Sequence, residues 1–142
     1  MDQFQKALYL TGRVLIALYF IYPGIMKVMN FGGTADYMAA HGMIFVPLFL
    51  ILTIVIQIPG GLCLALGYRV QLVSFVLAGL VLVISVVIHD FWTMEEGLQR
   101  AHETQNFVKN MAIMAGLMLL AGGPLKFGDG HRVGPQELKS GD

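Results

Sequence analysis

Residues 43–88 read MIFVPLFLILTIVIQIPGGLCLALGYRVQLVSFVLAGLVLVISVVI, and the only charge in that run is Arg69, in the Gly67-Tyr68-Arg69 turn that divides it. A bilayer core of about 30 Å takes about 20 helical residues at about 1.5 Å each. Both halves, 43–66 and 70–88, are long enough to cross. A strand of a membrane barrel would alternate apolar and polar side chains over about ten residues, and Val81-Leu82-Val83-Ile84 does not alternate. Both halves are therefore read as helices, and the tight turn between them makes an antiparallel hairpin. Gln57 is the one strongly polar residue of the first half.

The rest of the chain agrees with this reading. Of its 142 residues 56% are hydrophobic and 13% charged, with 9 basic side chains against 9 acidic ones. Soluble domains run about 45–50% apolar and about 25% charged. This composition excludes an ordinary soluble globule, a disordered tail and recruitment to nucleic acid by a basic field. The single cysteine, Cys63, excludes an intrachain disulfide framework.

Two further apolar segments flank the hairpin. Residues 8–28 are interrupted by Arg13 and end in Tyr22-Pro23-Gly24 and Lys27; residues 107–121 are short, with Lys109 near their start. The latter span relies on snorkelling of Lys109 and on extension through Asn106 or Gly122. The expected architecture is all-α, an integral membrane four-helix bundle over residues 1–127, followed by a loosely ordered cytoplasmic tail at 128–142. Residues 30–42 form a loop with a short interfacial helix at 34–40. Residues 90–105 form the longest and most acidic loop, with a surface helix at 93–102. Lys6, Arg13, Arg69, Lys126, Arg132 and Lys139 fall on one side of such a bundle, and Lys27, Arg100 and Lys109 on the other. The positive-inside rule then makes both termini cytoplasmic. A cleaved signal peptide is the rival reading of the first segment; its charged leader is weak, and Ala39-Ala40 lies far past its apolar core.

Charges in a spanning helix cost about 2.5–3.5 kcal/mol each at the centre on insertion scales, so they face the bundle interior or a wet cavity. Helical spacing puts Arg13, Ala17, Phe20, Gly24 and Lys27 on one stripe. Thr53, Gln57, Gly60 and Gly61 share another, as do Ser74, Ala78, Ser85 and His89, and again Asn106, Lys109, Asn110 and Gly116. For the small and hydroxyl residues these stripes read as packing seams. Arg13 and Gln57 lie at similar depth and form a possible intramembrane polar pair, against the simpler reading that Arg13 snorkels to headgroups.

At the outer end Lys27, His89, Asp90, Trp92, Asn106, Lys109 and Asn110 converge within a turn or two of the membrane surface. Headgroup attraction for the lysines and aromatic anchoring for Phe91 and Trp92 are the plain readings. As a group, these residues suit a polar or anionic headgroup, or the carbonyls of a quinone, with Asp90 orienting His89. No metal site is expected: His41, His89, His102 and His131 show no ligand spacing, and a haem between His89 and His41 or His102 would require the loops to fold inward.

Several short motifs in order resemble the DoxX family of small bacterial membrane proteins. They are Gly12-Arg13, Pro23-Gly24-Ile25-Met26-Lys27, the run from Gln57-Ile58-Pro59-Gly60-Gly61 to Gly67-Tyr68-Arg69, His89-Asp90-Phe91-Trp92, and Gln105-Asn106-Phe107-Val108-Lys109-Asn110. The resemblance implies a four-helix membrane bundle. It also implies a role as the small membrane subunit of a thiosulfate:quinone oxidoreductase, or as the membrane anchor of an oxidative-stress complex. Gln57 stands where the family often has Glu, which removes a proton carrier from that helix. Three functional expectations follow. The first is an accessory or anchor subunit of a membrane redox complex, with partner subunits or a second copy of the chain. The second is a quinone-binding subunit using the outer cluster. The third is a small-molecule or lipid transporter, for which Pro59 is the one place to look for a broken helix.

Overall fold

The computed structural model describes residues 2–123, which are all helical with no strand among them. Helix α1 spans Gln3–Met29, α2 Phe31–Ala40, α3 Val46–Leu66 and α4 Val70–Val87; a 3-10 turn at Phe91–Thr93 leads to α5, Leu98–Ala121. The expected tail at 128–142, with His131, lies outside the described residues.

Local sequence sets the helix ends. Asp2 caps α1 by accepting from the Gln5 N–H at 2.7 Å, while the Gln5 side chain accepts from the Asp2 N–H at 3.2 Å. At the hairpin, Gly67 takes φ 78°, the left-handed conformation that glycine adopts without steric cost. The Tyr68 N–H then bonds Cys63 O at 2.8 Å and the Gly67 N–H bonds Leu64 O at 3.2 Å, which closes α3 in a Schellman arrangement. The expected hairpin is formed, and α3 runs unbroken through Pro59.

Two local expectations are corrected. The interfacial helix begins at Phe31, directly after the break at Asn30 (φ −126°, ψ 54°), not at residue 34. The loop at 90–105 and its separate surface helix at 93–102 do not form as such: α5 starts at Leu98 and continues without a break into the apolar segment. The cause is visible in the composition, since residues 98–115 contain neither Gly nor Pro and nothing stops the helix.

Three helical stretches are long and apolar enough to cross a membrane: Gln3–Met29, Val46–Leu66 and Val70–Thr93. Their outward faces carry Leu15, Leu18, Tyr22, Leu48, Ile51, Val55, Phe75 and Val83, all half-exposed or more. A contiguous apolar surface of that extent belongs in lipid. The first half of α5 carries Arg100, Glu103 and Lys109.

The interior is small. Ala17, Phe20, Leu64, Leu77, Ala78, Val81 and Leu117 form the central cluster, and Met38, Val46, Leu50 and Ile88 form a second one beneath α2. Ala17, Phe20 and Gly24 are buried on α1, and Ser74, Ala78 and Ser85 on α4, along the stripes that helical spacing picks out. Helices α1 and α3 pack antiparallel at very close range. A Cβ on Gly61 would lie 2.9 Å from the Ala17 carbonyl oxygen, and one on Gly24 2.7 Å from Ile58 Cγ1. Helix α4 packs on α5, and α3 meets α4 over a smaller area.

Candidate functional site

The carboxylate of Glu103, in the second turn of α5, is the hub of a hydrogen-bonded cluster at the α2 end of the bundle. Its Oε2 accepts from His89 Nδ1 at 2.6 Å and from Asn106 Nδ2 at 3.3 Å, and its Oε1 accepts from the Tyr37 hydroxyl at 3.2 Å. Lys109 Nζ donates to Asn106 Oδ1 at 3.1 Å and extends the chain by one link. Three elements thus meet on one acid: α2 through Tyr37, the end of α4 through His89, and α5 itself. Helix geometry explains the α5 part, because Glu103, Asn106 and Lys109 are three residues apart and lie on adjacent turns.

Glu103 is only 7% exposed. Burial by itself would raise its carboxyl. The hydrogen bonds from His89, Asn106 and Tyr37, with the imidazole's charge, outweigh that, and the net shift is below the ordinary 4.5. The Tyr37 phenol is pushed up to about 12 by burial, by the Glu103 charge and hydrogen bond, and by the Asp90 charge, so it stays a donor at neutral pH.

Around this hub stand the other residues singled out in the sequence. Asp90 does not orient His89. One of its oxygens, Oδ2, accepts from Thr93 Oγ1 at 2.9 Å, while Oδ1 is buried with no partner among the described residues. Trp92, half-exposed, packs edge-on against Phe91 and Phe107 with ring centroids 5.3 and 5.8 Å away. Lys27 and Asn110 are not joined to the cluster. The Lys27 ammonium reaches the Pro23 carbonyl at 3.5 Å, and Asn110, 4% exposed, accepts from the Tyr19 hydroxyl at 2.8 Å to tie α5 to α1.

Arg13 and Gln57 do not pair. The Arg13 guanidinium donates to Ala65 O at 3.4 Å, lies 5.7 Å from the centre of the Tyr9 ring and abuts Gly67. Residue 65 is two helical turns beyond 57, about 12 Å along α3. A long side chain near the hairpin end finds free carbonyls at a helix C-terminus sooner than an amide deep in the seam. Gln57 is buried against Gly24, with Oε1 unpartnered among the described residues.

Glu103, Tyr37 and Tyr19 escaped the sequence reading as site residues. Glu103 carried a signal, since Glu103, Asn106 and Lys109 keep a helical three-residue step. With residues 90–105 read as a loop, Glu103 falls outside the helix that carries Asn106 and Lys109. Tyr37 carried none. Among the described residues no three His, Cys, Asp or Glu side chains gather as metal ligands.

A family model described as DoxX matches residues 8–90. Inner membrane protein YphA of Escherichia coli (strain K12) is 32% identical over 117 residues, 82% of this chain and 83% of that protein. Inner membrane protein YqjF of the same strain is 32% identical over 113 residues, 79% of this chain and 80% of that protein. No solved structure matches the chain.

Proposed function

The chain belongs to the DoxX family, and from that premise we propose that it is an accessory subunit of a redox complex in the bacterial inner membrane, where it holds a quinone at the Glu103–His89 end. The observation that carries this reading is the buried Glu103 carboxylate, which gathers donors from α2, α4 and α5 and fixes the imidazole through Nδ1. The other ring nitrogen of His89, Nε2, has no partner among the described residues; in the imidazolium form, where both ring nitrogens donate, it is left to donate to a quinone carbonyl. Lys109 and Asn106 supply further donors on the same face.

Reduction of a quinone to the quinol takes two electrons and two protons. In this reading His89, held by Glu103, passes protons at the carbonyl oxygen, and the electrons arrive from a partner subunit or a soluble donor. In this reading helix α5 is the fourth span: its apolar part, 107–121, covers about 22 Å of a core of about 30 Å, snorkelling of Lys109 makes up the rest, and Glu103 lies at the interface. With Lys6, Arg13 and Arg69 at the hairpin end, both termini are cytoplasmic and the cluster faces outward.

Native mass spectrometry of the protein extracted gently from its own membrane tests the proposal. The expected spectrum shows an adduct of quinone mass on the subunit. A larger assembly without such an adduct would leave an accessory subunit and remove the quinone.

A further inference from the structure

The end of the bundle that holds the Gly67-Tyr68-Arg69 turn lies opposite the Glu103 cluster, and it carries a pocket of about 410 Å³. Small-molecule sites begin at about 300 Å³. The wall is built by Tyr9 of α1, Arg69 of the turn, Val70, Gln71 and Leu72 of α4, and Leu120 of α5.

The charges and backbone groups here favour a negative ligand. Helix α4 starts in the wall, behind Arg69 at φ 45° and without a side-chain cap. The N–H groups of Val70, Gln71 and Leu72 therefore have no partner among the described residues, and they form the positive end of the helix. Arg69 uses only Nε locally, on the Tyr68 hydroxyl at 3.3 Å. The Arg13 guanidinium comes up against Gly67, where a Cβ would lie 2.8 Å from its Nη1. No acid among the described residues answers these charges. Asp2 is spent on capping α1, and Asp36, Asp90, Glu95, Glu96 and Glu103 belong to the opposite end.

What distinguishes this helix start from an ordinary one lies a turn deeper. Ser74 follows Val70, and Arg13 follows Tyr9, by four residues on the same helix face. Ser74 is fully buried and its Oγ has no partner among the described residues; Arg13 Nε is buried and likewise unpartnered. Helical Cα–Cβ bonds lean toward the helix N-terminus. For α1 and α4 alike that is the hairpin end, so both side chains lean toward the pocket. Buried polar groups are ordinarily paired. Two orphans beneath one pocket point to an occupant that pairs them.

We propose that this pocket binds a phosphate group, with the first-turn N–H groups of α4 and Arg69 on its oxygens and Arg13 and Ser74 beneath it. The phosphate is that of an anionic phospholipid or a soluble one; the chemistry at the pocket is the same. Tyr9 and Leu72, both part-exposed, give the wall an apolar edge that suits acyl chains. The site makes no use of the quinone reading.

Native mass spectrometry of the full chain in a neutral detergent tests this with dioleoylphosphatidylglycerol and with dioleoylglycerol, which has the same chains and no phosphate. Wild type is expected to retain the phosphatidylglycerol at least about tenfold better, the size of one charge-assisted hydrogen bond. Arg69→Asn should remove about that much, and Asn accepts the left-handed backbone at this position. Arg13→Gln should do the same; Arg69 lies outside the helices and keeps the test open if α1 does not tolerate Gln. Lys6→Gln, an equal change of charge at an exposed position of α1, should change little. Added inorganic phosphate separates the sources. Displacement of the lipid assigns the pocket to a soluble phosphate and retention assigns it to lipid, the site standing in both cases. Equal retention of the two probes, or equal losses in all three variants, would overturn it.

Discussion

Glu103→Ala is expected to unfasten the α2 end of the bundle and to cost about 3 kcal/mol, the low end for removing one partner of a buried pair. His89 Nδ1, Asn106 Nδ2 and the Tyr37 hydroxyl all lose their acceptor at once; the exposed Tyr37 can turn to water, so the cost falls mainly on the more buried His89–Glu103 pair. The loss is local, because the α1–α3 seam makes no use of this carboxylate. Amide exchange should therefore speed up in α2 and leave α1 and α3 as they are. Unchanged protection of α2 would show that Tyr37–Glu103 does not hold it. The wild-type pH dependence follows from the same site. Glu103 titrates lower in the folded protein than its ordinary 4.5, so the folded state binds fewer protons than the unfolded state in that interval. Its stabilisation is complete above about 4.5 and fades as pH falls through the depressed value. Glu103→Gln should lose this acid dependence.

The second large effect lies in the α1–α3 seam. Gly61→Leu is expected to destabilise the fold by about 3 kcal/mol, the upper end for overpacking a close interface. The contact responsible is the Ala17 carbonyl, 2.9 Å from the new Cβ, with Ile21 Cγ1 closer still at 2.6 Å. Backbone cannot turn aside as a side chain does. At Gly60 the nearest atom is Leu77 Cδ2 at 3.3 Å, the far end of a flexible side chain, so Gly60→Ala should be tolerated. Thermal unfolding in detergent should rank Gly61→Leu far below Gly60→Ala. Equal stabilities would mean that α1 and α3 do not approach this closely.

Much of the fold is legible in the sequence because hydrocarbon makes hydropathy decisive. The hairpin is set by Gly67, and spacing alone places Ala17, Phe20 and Gly24 on the buried face of α1. The start of α5 is not legible in hydropathy. Arg100 and Glu103 end the apolar pattern, but with no Gly or Pro the backbone keeps its helical bonds. That one boundary hid the site, since Glu103 faces His89 only when residues 98–106 are helical. The Arg13–Gln57 pair failed for a different reason. Matched depth says nothing of competing acceptors, and the carbonyl of Ala65 lay nearer the guanidinium.

The central claim, that a quinone is held at the Glu103–His89 end, is tested most directly by titrating ubiquinone into wild type and His89→Ala in nanodiscs while following Trp92 fluorescence. The account predicts saturable quenching in wild type at one equivalent. In His89→Ala the curve should shift by about tenfold or more, the equivalent of about 1.4 kcal/mol, with α2 still protected from exchange. Identical curves for the two proteins, or quenching that only rises linearly with the quinone in the membrane, would contradict it.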